Sequence, residues 1–319
     1  MRLKICNLSK TYPDGTRALD KINFEIAEGV FGLLGLNGAG KTTLMRILAT
    51  LLEPSEGSFV IEGLGINKKE EIRNILGYLP QQFGLYPELN CIEFLDYMAL
   101  LLGFKEKKYR KTKVSETIEL VGLSSVAHKK LKTYSGGMKQ RVGIAQAIIN
   151  DPKILIVDEP TAGLDPEERI RFRNLLTDIS FGKIIILSTH IVGDVNGCNE
   201  VAIINQGSLV VRENPLQLVE SIRGKVYEIK AAKKEYDSLK DRINIISLNR
   251  SRSDLTIRFL NEAGNPPGAV PVIVYPLNLS LNPGLTDGIL ILSKFSLLGL
   301  GLALIGIFLT RIEKPEWIV

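Results

Sequence analysis

Gly35-Leu36-Asn37-Gly38-Ala39-Gly40-Lys41-Thr42 constrains the fold of this chain more than any other segment. It fits the pattern G-x-x-x-x-G-K-[ST], and its neighbours matter as much as its letters. The apolar run Val30–Leu34 reads as a strand feeding into it, and Thr42–Leu52 reads as a helix leaving it. The glycines let backbone N–H groups turn inward around an anion with no Cβ in the way. The helix that follows presents its positive end to the same anion. Lys41 reaches the β- and γ-phosphates of a nucleotide, and the Thr42 hydroxyl, with Thr43 beside it, is placed for a divalent cation. A strand–loop–helix of this kind sits at the carboxyl edge of a parallel sheet, so the expected class is a layered α/β fold.

A second constellation belongs to the same edge. Ile154-Leu155-Ile156-Val157 is a continuous apolar run that ends in Asp158-Glu159-Pro160. Buried parallel strands have this composition, and ligands bind beyond their carboxyl ends. Asp158 suits a Mg²⁺ contact through water, and Glu159 suits the general base that polarises an attacking water. Two adjacent acids alone more often make a solvated turn; beside a phosphate loop they read as a reaction centre.

The rest of the chain supplies a framework. Ile22–Ile26, Ser58–Ile61, Leu76–Leu79 and Ile184–Leu187 read as further strands, and Val201–Asn205 with Leu209–Val211 as a closing β pair. From about 83 to 140 the pattern turns helical, with apolar positions Ile92, Leu95, Met98, Ala99 and Leu102 three and four apart. This reads as a helical subdomain inserted in an α/β domain covering 1–222. Residues 223–262 form a small α/β accessory unit without evident chemistry. Five prolines between Pro266 and Pro283 give 263–288 the composition of a linker. Cys6, Cys91 and Cys198 lack any metal or redox spacing and read as reduced thiols. Met1–Ile5 begins on a strand pattern, so no signal peptide is expected. A net charge of +5 over 319 residues does not argue for nucleic acid.

Between the two reaction-centre motifs lies Tyr134-Ser135-Gly136-Gly137-Met138-Lys139-Gln140-Arg141. It resembles the LSGGQ-type signature of ABC ATPases, with Tyr for Leu and Met for Gln. Other landmarks of that family match in order: Gln81 after Tyr78-Leu79-Pro80 resembles its Q-loop, Ala162-Gly163-Leu164-Asp165 its D-loop, and His190 after Ser188-Thr189 its switch histidine. Tyr12 resembles the aromatic residue that stacks on adenine. The resemblance covers about residues 1–220. It implies a P-loop NTPase core of ABC type, ATP and Mg²⁺ as ligands, and two copies packed head to tail around two ATPs. Ser135 and Gly137 of one copy would then meet the γ-phosphate held by Lys41 of the other, with Asp165 coupling the two sites. His190 would sense the γ-phosphate, and Gln81 would sit near Mg²⁺ and water and link the site to the helical region. The implied partner is a membrane permease at the cytoplasmic face of the membrane. Phe83–Pro87 and the segment after residue 220 resemble stand-alone exporter ATPases. A soluble ABC ATPase acting on the ribosome or on nucleic acid is the alternative, and it would need a second nucleotide domain or a basic patch.

Ile289–Leu309 departs from that family. It carries one charge, Lys294, and would extend about 31 Å as a helix, enough for a bilayer core. Its flanks run against the positive-inside rule, with Arg311 and Lys314 on the far side. A membrane span, a helix lying on a surface, and an aberrant tail are all compatible with this composition.

Overall fold

The computed structural model describes residues 1–239, 244–251, 254–260 and 269–271. The expected hydrophobic helix at 289–309 and most of the expected linker at 263–288 lie outside the described residues. Among the described residues no helix is long and apolar enough to cross a membrane. The chain divides into two compact units, one of residues 1–190 and 197–212, the other of 191–196 and 213–319.

The first unit opens with β1 (Arg2–Thr11), β2 (Arg17–Ala27), β3 (Gly29–Leu34) and α1 (Lys41–Leu48). There follow β4 (Glu56–Ile61), β5 (Leu64–Gly65), α2 (Lys69–Asn74) and β6 (Leu76–Leu79). A helical stretch comes next: α3 (Cys91–Leu101), α4 (Lys107–Leu120) and α5 (Gly136–Ile148). The unit closes with β7 (Ile154–Asp158), α6 (Pro166–Asp178), β8 (Ile184–Thr189), β9 (Glu200–Asn205) and β10 (Ser208–Glu213).

Two sheets form. One has the order β2-β1-β4-β5 with antiparallel pairing, the other the order β10-β9-β3-β8-β7-β6. In the second sheet β6, β7, β8, β3 and β9 run parallel. The burial patterns explain the two kinds. β1 alternates exposed and buried residues along its first half, as a half-covered strand must, whereas every residue of β7 and β8 is buried. Between the sheets lies one core that includes Leu3, Ile5 and Phe59 from the first, Ile156 and Ile186 from the second, and Leu44, Met45 and Ile47 from α1.

Two local readings are corrected. The first helix stops at Leu48 rather than Leu52, because Thr50 takes a left-handed backbone (φ 59°) and the amides of Leu51 and Leu52 both turn back to the Arg46 carbonyl. In α3 the buried stripe is Cys91, Phe94, Leu95 and Ala99; Leu102 caps the helix and is exposed. The start of α3 is fixed by a reciprocal capping box between Asn90 and Glu93.

The second unit contains α7 (Pro215–Ser221), β11 (Val226–Ala231), α8 (Lys233–Leu239), β12 (Asn244–Ser251), β13 (Asp254–Leu260) and β14 (Val270–Pro271). Its sheet has the order β12-β13-β11-β14 and is antiparallel. Ile257 and Phe259 are buried, Phe259 stacks on Tyr227 at 6.1 Å, and Arg258 pairs with Glu228 at 2.8 Å. β14 places two residues of the proline-rich stretch in a sheet, at the edge position where a proline's missing N–H is tolerated.

Phe59 is fully buried on β4 against the core between the sheets. Phe59→Ala is expected to cost about 3–5 kcal/mol, read as a lower urea midpoint for the first unit with an unchanged slope.

Candidate active site

Three strand ends converge because β8 lies between β3 and β7. In register, Leu34 at the end of β3 pairs with Thr189, and Asp158 at the end of β7 pairs with Ser188. The loop after β3, the acids after β7 and the histidine after β8 therefore share one edge. Gly35, Asn37, Gly38 and Gly40 form the loop between β3 and α1, with Asn37 and Gly38 exposed. Gly40 has φ 105°, and a Cβ there would stand 2.4 Å from the Ala18 carbonyl oxygen, so the turn into α1 admits no side chain.

Lys41 is 4% exposed. Its ammonium donates to the carbonyls of Gly35 (2.9 Å) and Leu36 (3.0 Å) and pairs with Glu159 Oε1 at 3.3 Å. Those three acceptors match its three protons. The other Glu159 oxygen, Oε2, accepts from Gln81 Nε2 at 3.2 Å and lies 3.2 Å from His190 Nδ1. Glu159 is 8% exposed and takes a left-handed backbone (φ 46°). Its amide is pinned at 3.1 Å by both the hydroxyl and the carbonyl of Ser188. Left-handed backbone is uncommon outside glycine, and here it turns the carboxylate toward the loop instead of along the strand.

Asp158 is fully buried. The Ser188 hydroxyl donates to its Oδ1, while Oδ2 is buried without a hydrogen-bond partner. Burial raises the Asp158 carboxyl above its ordinary value, and hydrogen bonds from Ser188 and Thr42 pull it part of the way back. An orphaned buried carboxylate oxygen beside the Thr42 hydroxyl fits a divalent cation whose remaining ligands are phosphate oxygens and water. No cluster of three or more His, Cys, Asp or Glu side chains that could hold a metal occurs among the described residues.

Tyr12 is half-buried next to this group, its hydroxyl 3.2 Å from Thr43 Oγ1. Ser135, Gly137 and Asp165 are not joined to Lys41 or Glu159 by any hydrogen bond or ion pair among the described residues. Ser135 caps α5 and is exposed; Asp165 caps α6 and is exposed. Gly137 is covered by Glu168, whose Oε2 would lie 2.5 Å from a Cβ at that position. The tyrosine that stands for leucine at the head of the Ser-Gly-Gly segment has a physical reason. Tyr134 is buried, its hydroxyl donates to the Val126 carbonyl at 2.8 Å, and burial pushes its pKa up to about 12. Two residues escaped the sequence reading. Ser188 was noted only as a neighbour of His190, yet it holds both acids. Glu168 carries no motif that marks it.

The chain matches known proteins along this framework. Residues 19–162 match the family described as ABC transporter. Over 234 residues the chain is 35% identical to YxlF, an uncharacterized ABC transporter ATP-binding protein of Bacillus subtilis (strain 168), covering 73% of this chain and 77% of that protein. It is 38% identical over 219 residues to the methionine import ATP-binding protein MetN of Helicobacter hepaticus, covering 66% of this chain and 62% of MetN. Among solved structures it resembles a dimeric post-hydrolysis state of the ATP-binding cassette MJ0796 bound to ADP and Pi. That match has a TM-score of 0.61 and 28% identity, and covers 67% of this chain and 98% of the other.

Asp158 yields a prediction with a definite sign. Its folded-state proton is held more tightly than in the unfolded chain, so protonation adds stability and rising pH removes it above the unfolded carboxylate range near about 3.9. Asp158→Asn is expected to melt above the native chain at pH 7 without nucleotide, with the gap closing toward pH 3 in thermal scans across that range.

Proposed function

We propose that this chain, which belongs to the ABC transporter family of ATP-binding proteins, powers a membrane permease by closing with a second copy around two ATP molecules. It binds and hydrolyses ATP as members of that family do. The observation that carries the proposal is the set of contacts on Glu159: one buried carboxylate held by the loop lysine, by Gln81 and by His190.

In the mechanism we infer, an incoming γ-phosphate draws the Lys41 ammonium away from Glu159. The loop amides from Gly35 to Thr42 and the positive end of α1 hold the remaining phosphate charge. Tyr12, tied to Thr43 at the start of α1, offers its ring to the adenine. Mg²⁺, held by Thr42 and Asp158 with Gln81 nearby, would neutralise charge on the β- and γ-phosphates. Glu159, released from Lys41, takes a proton from the attacking water as its oxygen bonds to the γ-phosphorus and the bond to the β-phosphate oxygen breaks. His190 donates to the γ-phosphate and reports its presence. Ser135 is exposed at the cap of α5, Gly137 lies beneath Glu168 in the turn that follows, and neither is joined to Lys41 or Glu159 by a hydrogen bond or ion pair among the described residues. That supports their use on the nucleotide of the partner copy, with Asp165 coupling the two sites. Loss of the γ-phosphate then removes the bridge between copies and opens the dimer.

The permease partner, and a position on the cytoplasmic face of the membrane, follow from the same reading. The resemblance of Phe83–Pro87 and of the segment after residue 220 to stand-alone exporter ATPases supports outward transport. Stimulation of ATP turnover by a co-purified permease would test that part.

The chemistry is tested with the full-length chain. Glu159→Gln is expected to lower ATP turnover by at least about a hundredfold and to accumulate an ATP-bound dimer on size-exclusion chromatography. Turnover near the native rate would remove Glu159 as the base. A chain that stays monomeric with ATP would sink the sandwich.

A further inference from the structure

Arg141, six residues past Ser135 on α5, has its Nε buried with no hydrogen-bond partner. A buried guanidinium nitrogen left this way is costly unless a charge compensates it. The compensating charge is Glu168, whose Oε2 stands 3.6 Å away, with only 17% and 16% of the two side chains exposed. Glu168 belongs to α6, three residues past Asp165, and its own amide donates to Asp165 Oδ1 at 2.9 Å. Its other oxygen, Oε1, accepts from Arg171 Nη1 at 3.0 Å. The same carboxylate group covers Gly137. Arg141 in turn donates from Nη1 to the Gly122 carbonyl at 3.1 Å, just past the end of α4. One acid thus touches Gly137 and Arg141 on the first helix, while its own backbone amide is capped by Asp165 on the second.

We propose that Glu168 is a positioning residue that locks the start of α5 to the start of α6, so that Ser135 and Asp165 are presented to the second copy as one rigid face. This rests on the sandwich reading above. Separating the helices would strand the buried Arg141 Nε, so the two capping residues move together or at a cost. Nucleotide binding to one copy through Lys41 does not involve Glu168, and the proposal predicts that the two steps separate.

The test uses full-length Glu159→Gln as the parent and adds Glu168→Gln, which keeps size and removes charge. The expected result is an ATP-dependent dimer whose dissociation constant rises about tenfold, with the ATP affinity of the monomer unchanged and its melting temperature lowered, because the buried Arg141 loses its compensating charge. In the otherwise native chain kcat falls while KM for ATP holds. Adding Arg141→Met to Glu168→Gln should weaken the dimer no further than the worse single change, as for two members of one pair. If Glu168→Gln dimerises like its parent, the inference is overturned. If the ATP affinity of the monomer falls in step with dimerisation, Glu168 only supports local structure, and the inference is again overturned. A parent that stays monomeric with ATP overturns the sandwich reading, and this inference with it.

Discussion

A buried ammonium of Lys41 facing a buried carboxylate of Glu159 is the constraint around which the first unit is arranged. Neither charge is tolerable alone at that depth, and their attraction offsets desolvation only if the remaining hydrogen-bonding capacity is filled. The fold fills it with two loop carbonyls on the lysine, and with Gln81 and His190 on the acid. Those partners come from the ends of β3, β6 and β8, so the pair is solvated by the sheet edge itself. An entering phosphate exchanges one anion for another beside Lys41. The total charge cost is thereby limited, and in the mechanism proposed above Glu159 would be set free as its substrate arrives.

The helical stretch is attached to this edge at a narrow place. It leaves the sheet after β6 and returns at β7, and those two strands are neighbours. Just outside the sheet, the amides of Leu131 and Lys132 donate to the carbonyls of Leu89 and Pro87, and Asn90 and Lys130 form an isolated bridge. Glu88 accepts from both Lys130 and Lys132, and these cations hold its carboxyl well below the usual range, at about 2. The segment that follows Gln81 is therefore joined to the segment that precedes Ser135. Gln81 and the exposed cap of α5 are thus tied by these hydrogen bonds, and by the packing of Gly143 of α5 against Leu79 and Phe83.

Much of this was legible in the sequence, for reasons tied to particular residues. Ile154–Val157 and Ile184–Leu187 announce covered parallel strands because nothing polar interrupts them, and the glycines before Lys41 announce the anion loop. The sheet order was not legible. That β8 separates β3 from β7 is a matter of long-range pairing, and no periodicity records it. The Lys41–Glu159 pair was invisible for the same cause, since Lys41 opens the helix after β3, Glu159 follows β7, and only the sheet order brings those strand ends together. The early end of α1 turns on a left-handed Thr50, a residue type that gives no warning of such a backbone. Glu168 is one of three acids in Pro166–Asp178 and nothing in the pattern sets it apart; its burial against Arg141 is a property of how α5 and α6 meet.

The small sheet of the second unit has a feature whose consequence lies outside catalysis. Among the described residues its outermost strands are β12 and β14. On one side Pro271 lacks an amide proton, so a visiting strand finds a gap in the donor row. On the other side β12 carries a register shift between Ile245 and Ser247, and beyond it the exposed Asn249 and Arg250. Unpaired sheet edges invite foreign strands, and prolines, irregular register and outward charge are what discourage them. Among the described residues each edge is blunted by a different device, and such edges resist the end-to-end fusion of small sheets between copies.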